Sequence, residues 1–208
     1  MRSDVLIVAH RDRRPRIESR GGIAARETEP DTVHLVSAAA TPLGGDSVCV
    51  RIVVEPGALL RVRTAAATVT LPGPITHESH AMWTLEVAGE LDLDPQPTVV
   101  AGASRHVTST HLALDGSGRV KLRERIQIGR SNERGGFWSG LLHADVDGSA
   151  LLRHRIELGR GSVADDELAA PMACISELHY PETEAETAGM ALALAGGGCL
   201  STWQGARL

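Results

Sequence analysis

Aromatic side chains are nearly missing from this 208-residue chain: Trp83, Trp138, Trp203, Tyr180 and Phe137 are the whole set. Single-stranded nucleic acid is gripped by stacking its bases on interleaved rings, so rings this sparse remove that partner class. A net charge of −5 argues the same way, because a polyanion would be repelled. No apolar run approaches the ~20 residues that span a bilayer. The longest weakly polar stretch, Ala188 to Leu200, is broken by glycines, so no membrane segment is expected. Arg11, Asp12, Arg13, Arg14, Arg16 and Glu18 stand where a secretory leader needs its apolar stretch. Cysteine is limited to Cys49, Cys174 and Cys199, an odd number without close pairing. That usage fits a reducing compartment and predicts a cytoplasmic protein. Catalytic signatures are missing too: there is no Gly-x-Ser-x-Gly elbow and no His-Glu-x-x-His. Gly159-Arg160-Gly161-Ser162 and Gly196-Gly197-Gly198 lack the lysine and the strand–loop–helix setting of a phosphate loop. No enzyme is expected.

What the chain has in quantity is alternation with a period of two. Val48, Val50 and Ile52 share a strand face, and Leu60 and Val62 repeat the pattern after the turn Glu55-Pro56-Gly57. The cleanest run is Trp83, Leu85, Val87, Gly89, Leu91 and Leu93, with Thr84, Glu86, Glu90, Asp92 and Asp94 opposite. Further strands are predicted over 106–114, 119–128, 141–147, 150–158 and 199–206. Asp147-Gly148 is a hairpin signal, since that pair supplies the positive φ angles of a tight turn. So many short strands predict a mostly all-β fold, a β-helix or sandwich-like stack within one domain over 1–208. One or two C-terminal helices are expected as well. Glu182, Glu184 and Glu186 follow Pro181, Ala185, Ala188 and Leu192 recur at helical spacing, and Gly196-Gly197-Gly198 ends the segment. Residues 1–20, arginine-rich from 10 onward, are read as a flexible arm.

Several short elements then fall in a co-linear order. Thr41-Pro42-Leu43-Gly44-Gly45-Asp46 precedes a strand, and Gly57-Ala58 and Thr64-Ala65-Ala66-Ala67-Thr68 follow it. Next come Gly89, Leu93-Asp94-Pro95-Gln96-Pro97, Gly102-Ala103, the strand carrying Glu124, Gly129-Arg130, Asp147-Gly148, Leu151-Leu152 and Arg155. Over roughly residues 40–160 this order resembles the UreD/UreH family of urease accessory proteins. The chain departs from the family after Gly129-Arg130: many relatives have a Gly-Glu pair before an aromatic, whereas here Arg134-Gly135 precede Phe137 and the nearby acid is Glu133. The resemblance implies a β-helix-like scaffold that binds a UreF-type accessory protein. Through that protein it meets a nickel-carrying UreG-type GTPase. It also implies docking on apo-urease, transient Ni²⁺ carried by a water-filled internal route, and no tightly bound cofactor.

Against that background a few side chains stand out. Gly44-Gly45-Asp46 is either a tight turn, with glycines for left-handed φ and Asp46 capping backbone donors, or a carboxylate waypoint for a divalent ion. Glu124 shares the face of Val120, Leu122, Ile126 and Ile128, where an acid without a partner costs roughly 1–3 kcal/mol or more. It is expected either to pair with a cation such as Arg130 or Arg155, or to line the wet route. His77 and His80, with Glu78 between, could hold Ni²⁺ transiently or sit on the surface as ordinary histidines near a turn. His106 and His111 face opposite sides of one strand. His143 and His154 could meet across a hairpin, depending on register. Cys49, between valines, reads as a core residue. The alternative reading is a small β-fold metal-binding protein or metalloenzyme of cupin-like shape, built on His77, His80 and an acid.

Overall fold

The computed structural model describes residues 1–131, 133, 135–163, 165, 170–184 and 189–208. Its architecture follows from how the alternating runs turn corners. Strand β5 (Ser47–Val54) passes through Glu55–Ala58 into β6 (Leu59–Thr64). In the same way β8 (Glu78–Val87) passes into β9 (Glu90–Leu93), and β11 (Arg105–Leu114) into β12 (Arg119–Ile128). The first member of each pair lies in one sheet, parallel to its equivalents, and the second in a facing sheet, again parallel. The short strands β7 (Thr68–Thr70) and β10 (Thr98–Val100) pair in parallel along a third side. The chain therefore winds as a β-solenoid whose coils stack residue above residue.

Stacking leaves no room for side chains at the corners. A Cβ on Gly89 would stand 2.3 Å from the Ala58 carbonyl oxygen, and one on Gly118 would stand 2.3 Å from that of Val87. This explains a difference from the expected run over Trp83–Leu93. It is two strands in two sheets, broken at Ala88-Gly89. The alternation passes through unbroken because Gly89 turns inward, so Leu85, Val87, Leu91 and Leu93 are all buried.

The ends of the chain close the solenoid. Strand β1 (Arg2–Ala9) pairs in parallel with β5 and antiparallel with β2 (Arg16–Arg20), burying Val5, Ile7 and Ala9. The arm expected over residues 1–20 is thus largely a paired hairpin. Strands β3 (Ile23–Glu29) and β4 (Thr32–Ser37) form a second hairpin, and β4 pairs with β6. At the other end β13 (Phe137–Val146) and β14 (Ser149–Gly159) are joined through Asp147 and Gly148, both at positive φ, as the Asp-Gly signal predicts. The first sheet runs β14-β13-β11-β8-β5-β1-β2. With β15 (Ala173–Tyr180), β16 (Met190–Ala193) and β17 (Cys199–Gly205), the second runs β16-β17-β15-β12-β9-β6-β4-β3.

The predicted C-terminal helices are not observed among the described residues. Met190–Ala193 is a strand on the edge of β17, and residues 185–188 lie outside the described residues. Met-Ala-Leu-Ala suits either period. The free backbone donors and acceptors along β17 decide in favour of pairing, a tertiary context that overrides weak local propensity.

Candidate functional site

The inner residues of β12 are Val120, Leu122, Glu124, Ile126 and Ile128, and the four apolar ones are 1–6% exposed. Glu124 points the same way, is half-buried, and lines a half-open cavity of about 270 Å³ between the sheets. The cavity's far wall is Val50 on β5, Trp83 on β8, and His106 and Thr108 on β11. The small-residue stretch Thr64-Ala65-Ala66-Ala67-Thr68 and Gln96 form its third side. Most of the lining is apolar, with Val50, Trp83, Leu93, Leu122 and the alanines, and Glu124, His106, Thr108 and Thr110 are polar groups set into it; the volume has room for several waters beside them.

Neither arginine expected beside Glu124 is there. Arg130 sits in the turn beyond β12 and pairs with Glu133, while Arg155 projects outward from β14 and bonds Glu157 at 2.6 Å. Alternation along β14 explains the second case, because it turns His154 and Ile156 inward and Arg155 away. The partner Glu124 does have is Thr108, whose Oγ1 donates to Oε1 at 3.0 Å. Burial pushes the Glu124 carboxyl up to about 7, with the Thr108 hydrogen bond opposing it. An acid that titrates near neutrality thus faces a half-open cavity between the sheets, and the arginines that also line it, Arg123 and Arg125, are paired with Asp94 and Glu177 instead.

His106, on the same wall, is a buried histidine held by a neighbouring hydroxyl. It is 3% exposed and shares a hydrogen bond with Ser79 Oγ at 2.9 Å through Nδ1. Burial, and then the nearby His80, push its pKa down to about 4, so the imidazole is neutral. The signal lay in its phase, since it alternates with Thr108, Thr110 and Leu112 and opposes the exposed His111 as expected.

The other candidates occupy separate places. Asp46 is 5% exposed and accepts hydrogen bonds from the Leu43 N–H at 2.8 Å, from Thr41 Oγ1 at 2.9 Å and from the Met1 amino group. Burial works to raise its pKa, but those bonds outweigh it and hold the carboxyl below the ordinary range. Gly44 has no room for a Cβ, which would fall 1.8 Å from the Thr76 carbonyl oxygen, and Gly45 takes φ +92°. His77 and His80 are both exposed, and His80 Nε2 lies 3.2 Å from Glu78 Oε1. Glu78 is shared with Arg105 at 3.4 Å. Among the described residues, no three His, Cys, Asp or Glu side chains gather as a metal centre.

His143 and His154 do not meet: His154 is opposite Leu142, so the two rings leave opposite faces. His143 instead stacks edge-on with His111, centroids 5.4 Å apart. Cys49 is half-buried on the outer face, because Val48 and Val50 take the inward positions. Glu133 is a clamp, accepting from the N–H groups of Gly102 at 3.1 Å and Arg130 at 3.2 Å and from Arg130 Nε at 2.9 Å. The Arg130 guanidinium leads these bonds in holding its carboxyl down to about 2.

Comparison with known proteins converges on one family. The profile described as "UreD urease accessory protein" matches residues 22–196. Urease accessory protein UreD 1 of Saccharopolyspora erythraea is 36% identical over 192 residues, covering 88% of this chain and 75% of that protein. Urease accessory protein UreD of Frankia alni is 44% identical over 159 residues, covering 72% of this chain and 53% of its own length. The homologue in Streptomyces avermitilis is 36% identical over 154 residues, 71% of this chain and 61% of the relative. The chain thus spans about half to three quarters of these relatives. A solenoid whose cavity, glycine corners and Gly-Gly-Asp turn all fall within the matched residues belongs to the UreD family of urease accessory proteins.

Proposed function

We propose that this chain is a non-catalytic urease maturation scaffold. In complex with a UreF-type accessory protein and a UreG-type GTPase, it passes Ni²⁺ as cargo to the active site of apo-urease in the cytoplasm. Family membership supports the maturation role. The observation that carries the nickel route is Glu124, an acid on an otherwise apolar strand face, bonded to Thr108 and to no cation among the described residues, at the wall of the cavity between the sheets. A leucine there would cost less, and a carboxylate with water around it is what a divalent ion in transit needs. Of the other candidates, His77 and His80 stand on the surface and would meet the ion only in passing. Asp46 is committed to its turn.

The metalloenzyme alternative has less behind it. It requires a third ligand converging on His77 and His80, and the acid nearest His80 is already shared with Arg105. The test is a deletion strain complemented with the natural chain or with Glu124→Gln, assayed for urease activity across a nickel series. Deletion should abolish nickel-dependent activation. Glu124→Gln should depress it most at limiting nickel and recover partly as nickel is raised. A deletion strain with full activity would overturn the proposal.

A further inference from the structure

The cavity beside Glu124 is long as well as half-open. It crosses four neighbouring strands of the second sheet, from Leu35 on β4 past Thr64 on β6 and Leu93 on β9 to Leu122 on β12. At ~4.8 Å between strands, its length is roughly 14 Å. The first sheet faces it with Val48 and Val50 on β5 and Trp83 on β8. Val36, Ser37, Gln96 and the alanines 65–67 are its exposed lining residues and form the rim. The buried polar side chains of the lining, His106 and Thr108, stand at the far end with Glu124.

Apolar walls give a metal ion nothing to coordinate, so they call for a ligand with an apolar body. An apolar cavity of about 150 Å³ accommodates benzene, and one of about 270 Å³ holds a somewhat larger chain or ring. The far end sets the head group. Glu124 uses Oε1 for the Thr108 hydrogen bond, and Oε2 takes none among the described residues. The two arginines of the lining are paired with Asp94 and Glu177. His106 is bonded to Ser79 through Nδ1 and carries no charge. A carboxylate short of a cation, at the end of an apolar slot, is complementary to an N–H⁺ group on a hydrocarbon body.

We propose that this cavity binds a small organic ammonium ion, a primary amine on an apolar body, with its N–H groups on Glu124 and its body against Val50, Trp83 and Leu93. The site goes beyond the nickel reading: the apolar length of the slot selects the body and Glu124 selects the charge. An alcohol of the same size would leave the ionised carboxylate uncompensated, and an acid would meet it as a like charge. Since the amine and Ni²⁺ would use the same carboxylate, a bound amine excludes the metal from Glu124.

The experiment is a calorimetric titration of the metal-free natural chain with n-hexylammonium chloride, 1-hexanol and sodium hexanoate, which share a body and differ in the head. Near pH 8, hexylammonium should bind about tenfold tighter than hexanol, the worth of one charge-assisted hydrogen bond, and hexanoate more weakly than either. In Glu124→Gln the amine should fall to the level of hexanol, whose own affinity stays the same. A second check needs no variant. Toward pH 6 the Glu124 carboxyl, pushed up to about 7 by burial, takes up its proton, so most of the amine's advantage should disappear while hexanol is unmoved. The titratable groups facing Glu124 keep their state over that range. His106 on β11, pushed down to about 4, stays neutral, and Cys174 on β15, pushed up to about 12, stays a thiol. Arg123 and Arg125 on β12 are arginines, charged throughout. Equal affinity of amine and hexanol near pH 8, an amine preference that survives in Glu124→Gln or at pH 6, or no binding of either would overturn the proposal. The titrations contain no nickel, so the amine site and the nickel route stand or fall on separate measurements.

Discussion

Glu124 holds a proton that an exposed glutamate would have lost. Its pKa in the folded chain, about 7, lies above the ordinary value of 4.5. The protonated form is therefore favoured by folding. The stability this contributes is complete below the ordinary carboxylate range and is lost as pH rises through about 7. Glu124→Gln should remove that dependence. The unfolding free energy of the variant, compared with the natural chain, should match it near pH 5 and exceed it near pH 8, by an amount on the order of a few kcal/mol, with the melting temperature moving the same way. A variant that melts lower at both pH values would show a charge partner instead. Thr108→Val removes the hydrogen bond that opposes the upward shift. The Glu124 carboxyl, followed by ¹³C NMR, should then titrate higher still. At this scale the sequence was informative about the acid and silent about its company. Alternation along one strand places Glu124 inward. Its partner Thr108 lies sixteen residues earlier on the facing strand of the same coil, and how the corner between β11 and β12 sets the two strands against each other is not encoded in the alternation of either. Arg130 and Arg155 were reasonable cations at the wrong addresses, and the partner is a threonine.

The elements show the same division. Strands with strict alternation were legible, and Asp147-Gly148 marked its hairpin because the turn's φ requirement is local. The change of sheet at Gly89 was not legible, because a corner that keeps inward parity leaves the pattern of apolar residues intact. Glycines at the two kinds of turn should respond differently to substitution. Gly89→Ala puts a Cβ within 2.3 Å of backbone oxygen in the coil beside it, so the corner itself must move. A loss of roughly 3 kcal/mol or more in denaturant unfolding is expected. Gly148→Ala meets nothing within 4 Å and bears only the strain of φ +75°, about 1–2 kcal/mol. Equal losses at both positions would contradict the stacked-corner account.

For the molecule as a whole, the solenoid leaves sheet edges at both ends, and β16 presents Met190 and Leu192 to solvent. Open edges beside apolar side chains favour self-association. The chain expressed alone should be prone to aggregate, and co-expression with a UreF-type protein should raise its soluble yield and co-purify it. Unchanged yield without co-purification would count against the β16 edge as a partner surface. The purified protein should turn over neither urea nor GTP.

The cavity beneath Glu124 also makes the fold responsive to pressure. Unfolding eliminates dry voids, so a dry inner end to this half-open cavity of about 270 Å³ would shrink the system's volume on unfolding and make the chain easier to unfold under compression. Water already inside the cavity would cancel most of that change, since it leaves for a solvent of much the same density. High-pressure unfolding of the natural chain beside Thr108→Val and Glu124→Leu should therefore weigh the cavity's contents directly. A small volume change that grows when the lining is made apolar identifies a passage that is normally full.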